Sequence, residues 1–369
     1  MAERKRSVDR QAAAARRLFR LPEAILNLML GGRRTTVDGV TLDRRMELFM
    51  QLSERSGKSF HPDATVADMR EGYERMNRMF GFRSASASSP TVLSIPAGDA
   101  LLSARLYRPA GEISSGSPLL LFYHGGGFVI GDAASYDHVA RFFAARACLP
   151  VLSVDYRLAP EHAFPTAHDD AYAAYRWVVD NAAWLRVDPR RIAVGGDSAG
   201  ANLAITICLR ARAGALQQPN FQLLIYPPVD STGTYRSRTM FETGVPLTPA
   251  TIAWFTRHYV RQREDFAGML LSPLNAELRG LPPAYVLAAG FDPLRDEGAA
   301  FAKALRAAGA SVTYDLRPGL AHGFVALAGV VPEARRALER AADALAYSAR
   351  AAHAHDESPV GAAASSGGV

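Results

Sequence analysis

Cysteine is nearly absent from this 369-residue chain: Cys148 and Cys208 are its two. Two is too few for a disulfide framework or a thiolate metal site. Both stand in apolar, helix-like surroundings, where a free cysteine serves as a small core residue, and this usage fits a reducing cytoplasm. Long apolar runs are missing as well. No segment reaches the roughly eighteen apolar residues of a membrane span. The stretch from Leu21 to Leu30 is broken by Pro22, Glu23 and Asn27 and follows a charged segment, which does not fit a secretory signal peptide. A cytoplasmic location is therefore expected. There is no G-x-x-x-x-G-K-[S/T] and no G-x-G-x-x-G with a following acid, which argues against a nucleotide phosphate loop. No ligand set with metal spacing occurs either, since His353 and His355 with Asp356 and Glu357 lie in a tail read as disordered. Neither a metal nor a cofactor is expected. No internal repeat is present.

Charge imbalance is confined to one end. The net charge is +6, and residues 1–50 hold eleven Lys/Arg against six Asp/Glu, so the remainder is close to neutral. A basic arm can bind nucleic acid or an anionic membrane surface, but a solvated amphipathic helix accounts for this one, and no nucleic-acid partner is expected. With 49% hydrophobic and 21% charged residues, the chain can bury a large core.

Residues 1–85 read as helical, with Leu26, Met29, Leu30, Met46, Phe49, Met50 and Leu52 at helix-like spacing, and the small residues Ser84–Ser89 read as a linker. From about residue 91 short apolar strands alternate with helices, the signature of an α/β fold on a mostly parallel sheet. Eight strands are expected: Val92–Ile95, Leu102–Tyr107, Leu119–Tyr123, Val151–Asp155, Ile192–Gly195, Gln222–Tyr226, Tyr285–Ala289 and Val312–Leu316. Helices are expected over 135–147, 168–184, 199–213, 295–308 and 332–350. Residues 230–275 interrupt this rhythm and are placed near the pocket, with Thr248-Pro249 as a helix start. The catalytic domain is thus read as 86–350, and 351–369, rich in Ala, Ser and Gly, as a disordered tail.

Two motifs carry chemistry. Gly196-Asp197-Ser198-Ala199-Gly200 follows one predicted strand and precedes a helix, the context of a nucleophile elbow in which flanking glycines permit a sharp turn. Ser198 needs a base to take its proton. In α/β-hydrolases the chain order is Ser, acid, His. Of the four histidines after Ser198, His258 falls in the insertion and His353 and His355 in the tail. His322, on a loop after the last strand, is the base. Asp292 directly follows strand Tyr285–Ala289, and Asp296 and Glu297 are better read as first-turn helix acids. The run His124-Gly125-Gly126-Gly127 follows strand Leu119–Tyr123, and its backbone N–H groups, with that of Ala199, can receive the oxyanion of a tetrahedral intermediate. Asp132, Asp155, Arg157, Glu161, His162, Asp170 and Asp197 are read as hydrogen-bonding supports around the site. The chemistry is that of a serine hydrolase acting on esters, with a small-molecule ester as partner.

The chain resembles the hormone-sensitive lipase family of α/β-hydrolases, the bacterial family IV esterases. The matching stretches are Tyr123–Phe128, Asp155–His162, Gly195–Leu203, Asp292–Gly298 and His322–Phe324, in the family's order. The resemblance implies a central eight-stranded sheet with an N-terminal helical cap and the triad Ser198, Asp292 and His322. It also places the oxyanion donors on Gly126 and Gly127, with Ala199. It implies a carboxylesterase preferring short acyl chains, and often a homodimer. An amidase or carbamate hydrolase on the same triad, or a non-catalytic receptor of this fold, are the alternatives.

Overall fold

The computed structural model describes residues 12–32, 34–55, 63–82, 89–111 and 113–356, the side chains of 352–356 excepted. Its strands, in chain order, are β1 (Thr36–Val37), β2 (Val40–Thr41), β3 (Thr91–Ala97), β4 (Ala100–Tyr107), β5 (Ser117–Tyr123), β6 (Val151–Val154), β7 (Val187–Asp197), β8 (Phe221–Ile225), β9 (Ala284–Phe291) and β10 (Val312–Ala321). The last eight form one sheet in the order β10-β9-β8-β7-β5-β6-β4-β3. β4 pairs antiparallel with both β3 and β6, whereas every pairing from β6 across to β10 is parallel. The sheet is the mostly parallel one that the strand spacing predicts.

Burial explains the strand compositions. β6, β8 and β9 are buried at every position, so both faces of the sheet centre are covered and an unbroken apolar run is required. The edge strands are less covered: β3 alternates between buried and exposed residues at its end, and β10 is half-buried or exposed until Leu320 and Ala321, because one face or one side there meets solvent. The helix Ala199–Ala213 starts at the end of β7 and buries twelve of its residues, which its Ala, Leu and Ile content allows.

The structure departs from the sequence reading in four places. The N-terminal region is not purely helical: its helices, at 12–19, Glu23–Met29, Arg44–Arg55 and Val66–Phe80, are interrupted by the β1–β2 hairpin. Asp38 and Gly39 form its two-residue turn with φ of 56° and 76°, the left-handed pair that Asp-Gly favours. The helix expected over 168–184 is two helices, Thr166–Asp180 and Ala182–Leu185. The last helix runs Pro332–Asp356, so part of the tail is ordered as helix, and residues 357–369 lie outside the described residues. Cys208 is buried but Cys148 is exposed, because it occupies the left-handed C-cap of the helix Asp137–Ala147 rather than its buried face.

The N-terminal helices share the sheet's core. Phe19, Leu26, Met46 and Met69 belong to the same buried apolar cluster as Leu121, Val194 and Leu287. Arg16 donates to the carbonyls of Met79 and Gly81 at 2.8 Å each, and Gly329 N–H donates to Phe80 O at 3.0 Å, which ties the helix Val66–Phe80 down at its C-terminal end.

Candidate active site

β7 delivers the chain to Ser198 at the centre of the sheet's C-terminal edge. Ser198 has φ 51° and ψ −121°, a conformation unfavourable for any residue but glycine. It is held there by its N–H, which donates to Ile225 O at 2.9 Å. The flanking glycines are demanded by space: a Cβ on Gly196 would strike Tyr123 O and the backbone of Gly200, and one on Gly200 would overlap Tyr123 O. The hydroxyl therefore stands exposed on a rigid turn between strand and helix.

His322 follows β10 directly, and Asp292 follows β9 directly. His322 Nε2 lies 3.0 Å from Ser198 Oγ, and His322 Nδ1 lies 2.7 Å from Asp292 Oδ2. The other Asp292 oxygen accepts the Leu294 N–H at 2.8 Å. Asp292 is 1% exposed. A carboxylate facing Nδ1 places the proton there and leaves Nε2 free to accept from the serine. The ring of Tyr226 packs against His322, centroids 4.4 Å apart, and limits its rotation.

The neighbouring acids do other work. Asp296 accepts the Ser237 N–H at 2.8 Å and pairs with Arg295. Glu297 does more than complement a helix dipole. It is 1% exposed, accepts from the N–H groups of Val229 and Asp230 at 2.9 and 3.3 Å, and pairs with Arg238 at 2.6 Å. Burial pushes its carboxyl up to about 7 against the opposing pull of Arg238 and those N–H groups. His258 Nδ1 is engaged by Trp254 O, away from the triad residues, and the side chains of His353 and His355 lie outside the described residues.

The loop after β5 brings Gly126 and Gly127 to the same cavity as Ser198 and Ala199. Gly126 has φ 121° and Gly127 φ 58°, and a Cβ on either would collide, with Ile130 O or with the ring of Phe255. Neither N–H makes a hydrogen bond among the described residues. The Ala199 N–H belongs to the first turn of its helix, where no intrahelical acceptor exists. Among the described residues these three donors have no acceptor, and they border Ser198.

Beneath this loop lies Asp197, 2% exposed. It accepts Gly125 N–H at 2.8 Å, Tyr136 OH at 3.0 Å and Tyr226 OH at 3.1 Å. Burial raises its pKa while these donors pull it down. Of the other residues read as supports, Asp132 accepts Ser135 N–H, Asp155 accepts Ala133 N–H, Arg157 pairs with Asp170, and Glu161 takes Arg70 in a two-pronged pair, whereas His162 is engaged through its backbone N–H to Leu158 O. Tyr136, Tyr226 and Tyr73 were not legible as site residues, because nothing in their local sequence shows that their hydroxyls converge on Asp197, and Tyr73 lies among the charged residues of an amphipathic helix.

Around Ser198 and His322, the cavity, about 170 Å³, has among its walls Phe49, Tyr73 and Met76 from the N-terminal helices, the glycine loop, and Leu247, Ile252 and Phe255 from the insertion. Its titratable acid and base are Asp197 and His322, and the rest of its lining is apolar or neutral. His168, on the helix Thr166–Asp180, fastens the insertion to that helix and to the helix Ala199–Ala213: Nδ1 faces Tyr259 OH at 2.8 Å, and Nε2 faces Asn202 Oδ1 at 2.9 Å and Leu270 O at 3.0 Å. Burial lowers its pKa to about 4, so it stays neutral. No cluster of His, Cys, Asp and Glu suited to a metal ion occurs among the described residues.

Residues 120–326 match a family described as having the α/β-hydrolase fold. The chain is 41% identical to the carboxylic ester hydrolase LipN of Mycobacterium tuberculosis over 322 residues, covering 83% of each. It is 34% identical to an ethyl acetate hydrolase of Pseudomonas putida, over 83% of this chain and 99% of the relative. Among solved structures, the ester hydrolase EH1AB1 from the Lake Arreo metagenome, complexed with a bipyridine phosphonate derivative, superposes with a TM-score of 0.80. It shares 37% identity over 83% of this chain and 98% of its own.

Proposed function

The chain belongs to the α/β-hydrolases, in the hormone-sensitive lipase-like group of ester hydrolases, and from that premise we propose that Ser198, His322 and Asp292 are its catalytic triad. The observation that carries the reading is the continuous relay of 3.0 Å and 2.7 Å from Ser198 Oγ through His322 to Asp292, set on a strained elbow. Ser198 Oγ attacks the ester carbonyl while Nε2 of His322 takes its proton, and buried Asp292 stabilises the imidazolium. The carbonyl oxygen, now negative, is received by the N–H groups of Gly126, Gly127 and Ala199, each donor worth roughly 10²–10³ in turnover. His322 returns the proton to the leaving alcohol, and an acyl-enzyme on Ser198 remains. Water, activated by the same histidine, then releases the acid and restores the serine.

The substrate is an uncharged carboxylic ester with a short acyl chain. The lining supports the absence of charge, since its one acid, Asp197, is already engaged by Gly125, Tyr136 and Tyr226 and the rest is apolar or uncharged apart from His322, and the confined cavity supports the short acyl group. The N-terminal helices, with residues 1–85 as the cap region, close one side of the cavity through Phe49 and Met76, and the insertion at 230–275 closes another. A homodimer is part of the proposal, supported by the edge strand β3, whose outer side pairs with no strand among the described residues. A sedimentation mass equal to one chain would refute it. No helix among the described residues is long and apolar enough to cross a membrane, which accords with the proposed cytoplasmic location. The decisive experiment is initial-rate hydrolysis of p-nitrophenyl esters from acetate to palmitate, wild type beside Ser198→Ala. Activity peaking at short chains and reduced by at least about 10³-fold in the variant is expected. A wild type inactive on the whole series, or an active Ser198→Ala, would overturn the reading.

A further inference from the structure

The N-terminal helix Val66–Phe80 reaches the active site by a route that needs no contact with substrate. Tyr136 OH donates to Asp197 Oδ2 at 3.0 Å. A phenol has one proton to give, so the close contact between the hydroxyls of Tyr73 and Tyr136 must be a donation from Tyr73. The chain of donors runs one way, from Tyr73 to Tyr136 to the Asp197 carboxylate. The other oxygen of Asp197 accepts the N–H of Gly125 at 2.8 Å, immediately before Gly126 and Gly127. One turn earlier on the same helix, Arg70 donates to Val129 O at 2.9 Å and to Ala159 O at 3.0 Å. Val129 N–H in turn donates to Gly126 O at 3.0 Å. The glycine loop is therefore held from two sides by one helix, at its start through the carboxylate and at its end through Arg70.

This arrangement matters because the loop has little to hold itself. Gly126 and Gly127 have no side chains to pack, and both sit at positive φ. Donors contribute to rate only when already aimed at the position the oxyanion takes. Fixing Gly125 N–H fixes where the next two N–H groups point. Hydrogen bonds in series polarise one another inside a protein, so loss of the outermost hydroxyl weakens the link at Asp197 without touching the substrate.

We propose that Tyr73 is a positioning residue for ester hydrolysis, acting through Tyr136 and Asp197 to hold the Gly125–Gly127 loop in its oxyanion-binding geometry. The proposal rests on the reading of that loop as the oxyanion hole. The helix Val66–Phe80 thereby serves as a brace of the catalytic machinery in addition to walling the cavity.

The test is Tyr73→Phe, which keeps the ring and removes the hydroxyl, with Tyr136→Phe breaking the same chain one link further on. Two readouts are taken: steady-state hydrolysis of p-nitrophenyl butyrate, and amide hydrogen exchange of the peptide spanning residues 124–131. Tyr73→Phe is expected to lower kcat about tenfold with KM changed less than about twofold, and to quicken exchange in that peptide. The double variant is expected to be little worse than Tyr136→Phe alone, since both cut one chain. A Tyr73→Phe enzyme with unchanged kcat and unchanged exchange overturns the proposal, whatever its melting temperature. So does a loss confined to KM, which would make Tyr73 a substrate contact only. If the wild type fails to hydrolyse any ester, the triad reading falls, and the exchange arm still decides whether Tyr73 holds the loop.

Discussion

Two glycines show how differently the same residue type can be used. Gly200, in the first turn after Ser198, has no room for a Cβ because Tyr123 O occupies the space, whereas Gly298, inside the helix Arg295–Ala307, has nothing within 4 Å of where one would go. Gly200→Ala is expected to abolish hydrolysis of p-nitrophenyl butyrate by pushing the elbow off the glycine loop. Gly298→Ala should leave the rate unchanged and raise stability by about 0.5–1 kcal/mol, the cost of glycine in a helix interior, read as a higher urea midpoint. Glu297 gives a further residue-scale expectation. Its carboxyl stands at about 7 in the fold, above its ordinary range, so the folded protein binds a proton that the unfolded chain releases between about pH 4.5 and 7. Its contribution to stability is full below that window and is lost as pH rises through it. In Glu297→Gln that component of the pH dependence disappears, and denaturant unfolding at pH 5 and pH 8 compares the two.

At the scale of elements, the insertion depends on how its principal helix begins and how it is fastened. Thr248 caps Pro249–Tyr259, its side chain accepting from Thr251 N–H, and Thr251, Ile252 and Phe255 on that helix line the cavity. Thr248→Ala is expected to cost about 1 kcal/mol in chemical denaturation and to raise KM for the butyrate ester. The other end is fastened by His168. Its pKa of about 4 lies below that of an unfolded histidine, about 6.5. As pH falls from 6.5 to 4 the unfolded chain takes up a proton the fold refuses, and stability drops. His138 is lowered to about 4 by burial as well, so His168→Asn removes one such contribution and leaves that of His138. Its urea midpoint should fall less steeply between pH 7 and pH 4.5 than that of the wild type.

For the whole molecule, the relevant fact is that the N-terminal helices and the sheet share one apolar core. Phe19 is 1% exposed and meets Phe80 with ring centroids 5.3 Å apart, and Phe80 holds Gly329 through its carbonyl. Phe19→Ala is expected to cost about 3–5 kcal/mol, the range for emptying a buried aromatic site, measured by urea unfolding. By contrast, Asp343→Ala, which breaks an exposed pair with Arg146, should change stability by less than about 1 kcal/mol.

Much of this protein can be read from local pattern. The eight strands of the sheet, the elbow at Ser198, the glycine run and the order of Ser198, Asp292 and His322 depend on spacing of a few residues and on backbone limits that glycine alone relaxes. Those constraints act within one turn or one strand end, so sequence expresses them directly. The rest required chain segments far apart to meet. The Asp-Gly signal of the β1–β2 hairpin was overshadowed by helical spacing on either side of it. Glu297 resembles any first-turn acid until Val229 and Arg238 arrive from elsewhere. Cys148 resembles a core residue until the helix end leaves it at the surface. Tyr73, Tyr136 and Asp197 lie up to 124 residues apart in sequence, and no periodicity marks a hydrogen-bond chain between them. The sequence by itself determined where Ser198, Asp292, His322 and the glycine run stand at strand ends and turns, because local backbone geometry decides that. Only the tertiary structure decided how they are held, because burial and hydrogen-bond partnership are properties of the packed core and belong to no single segment.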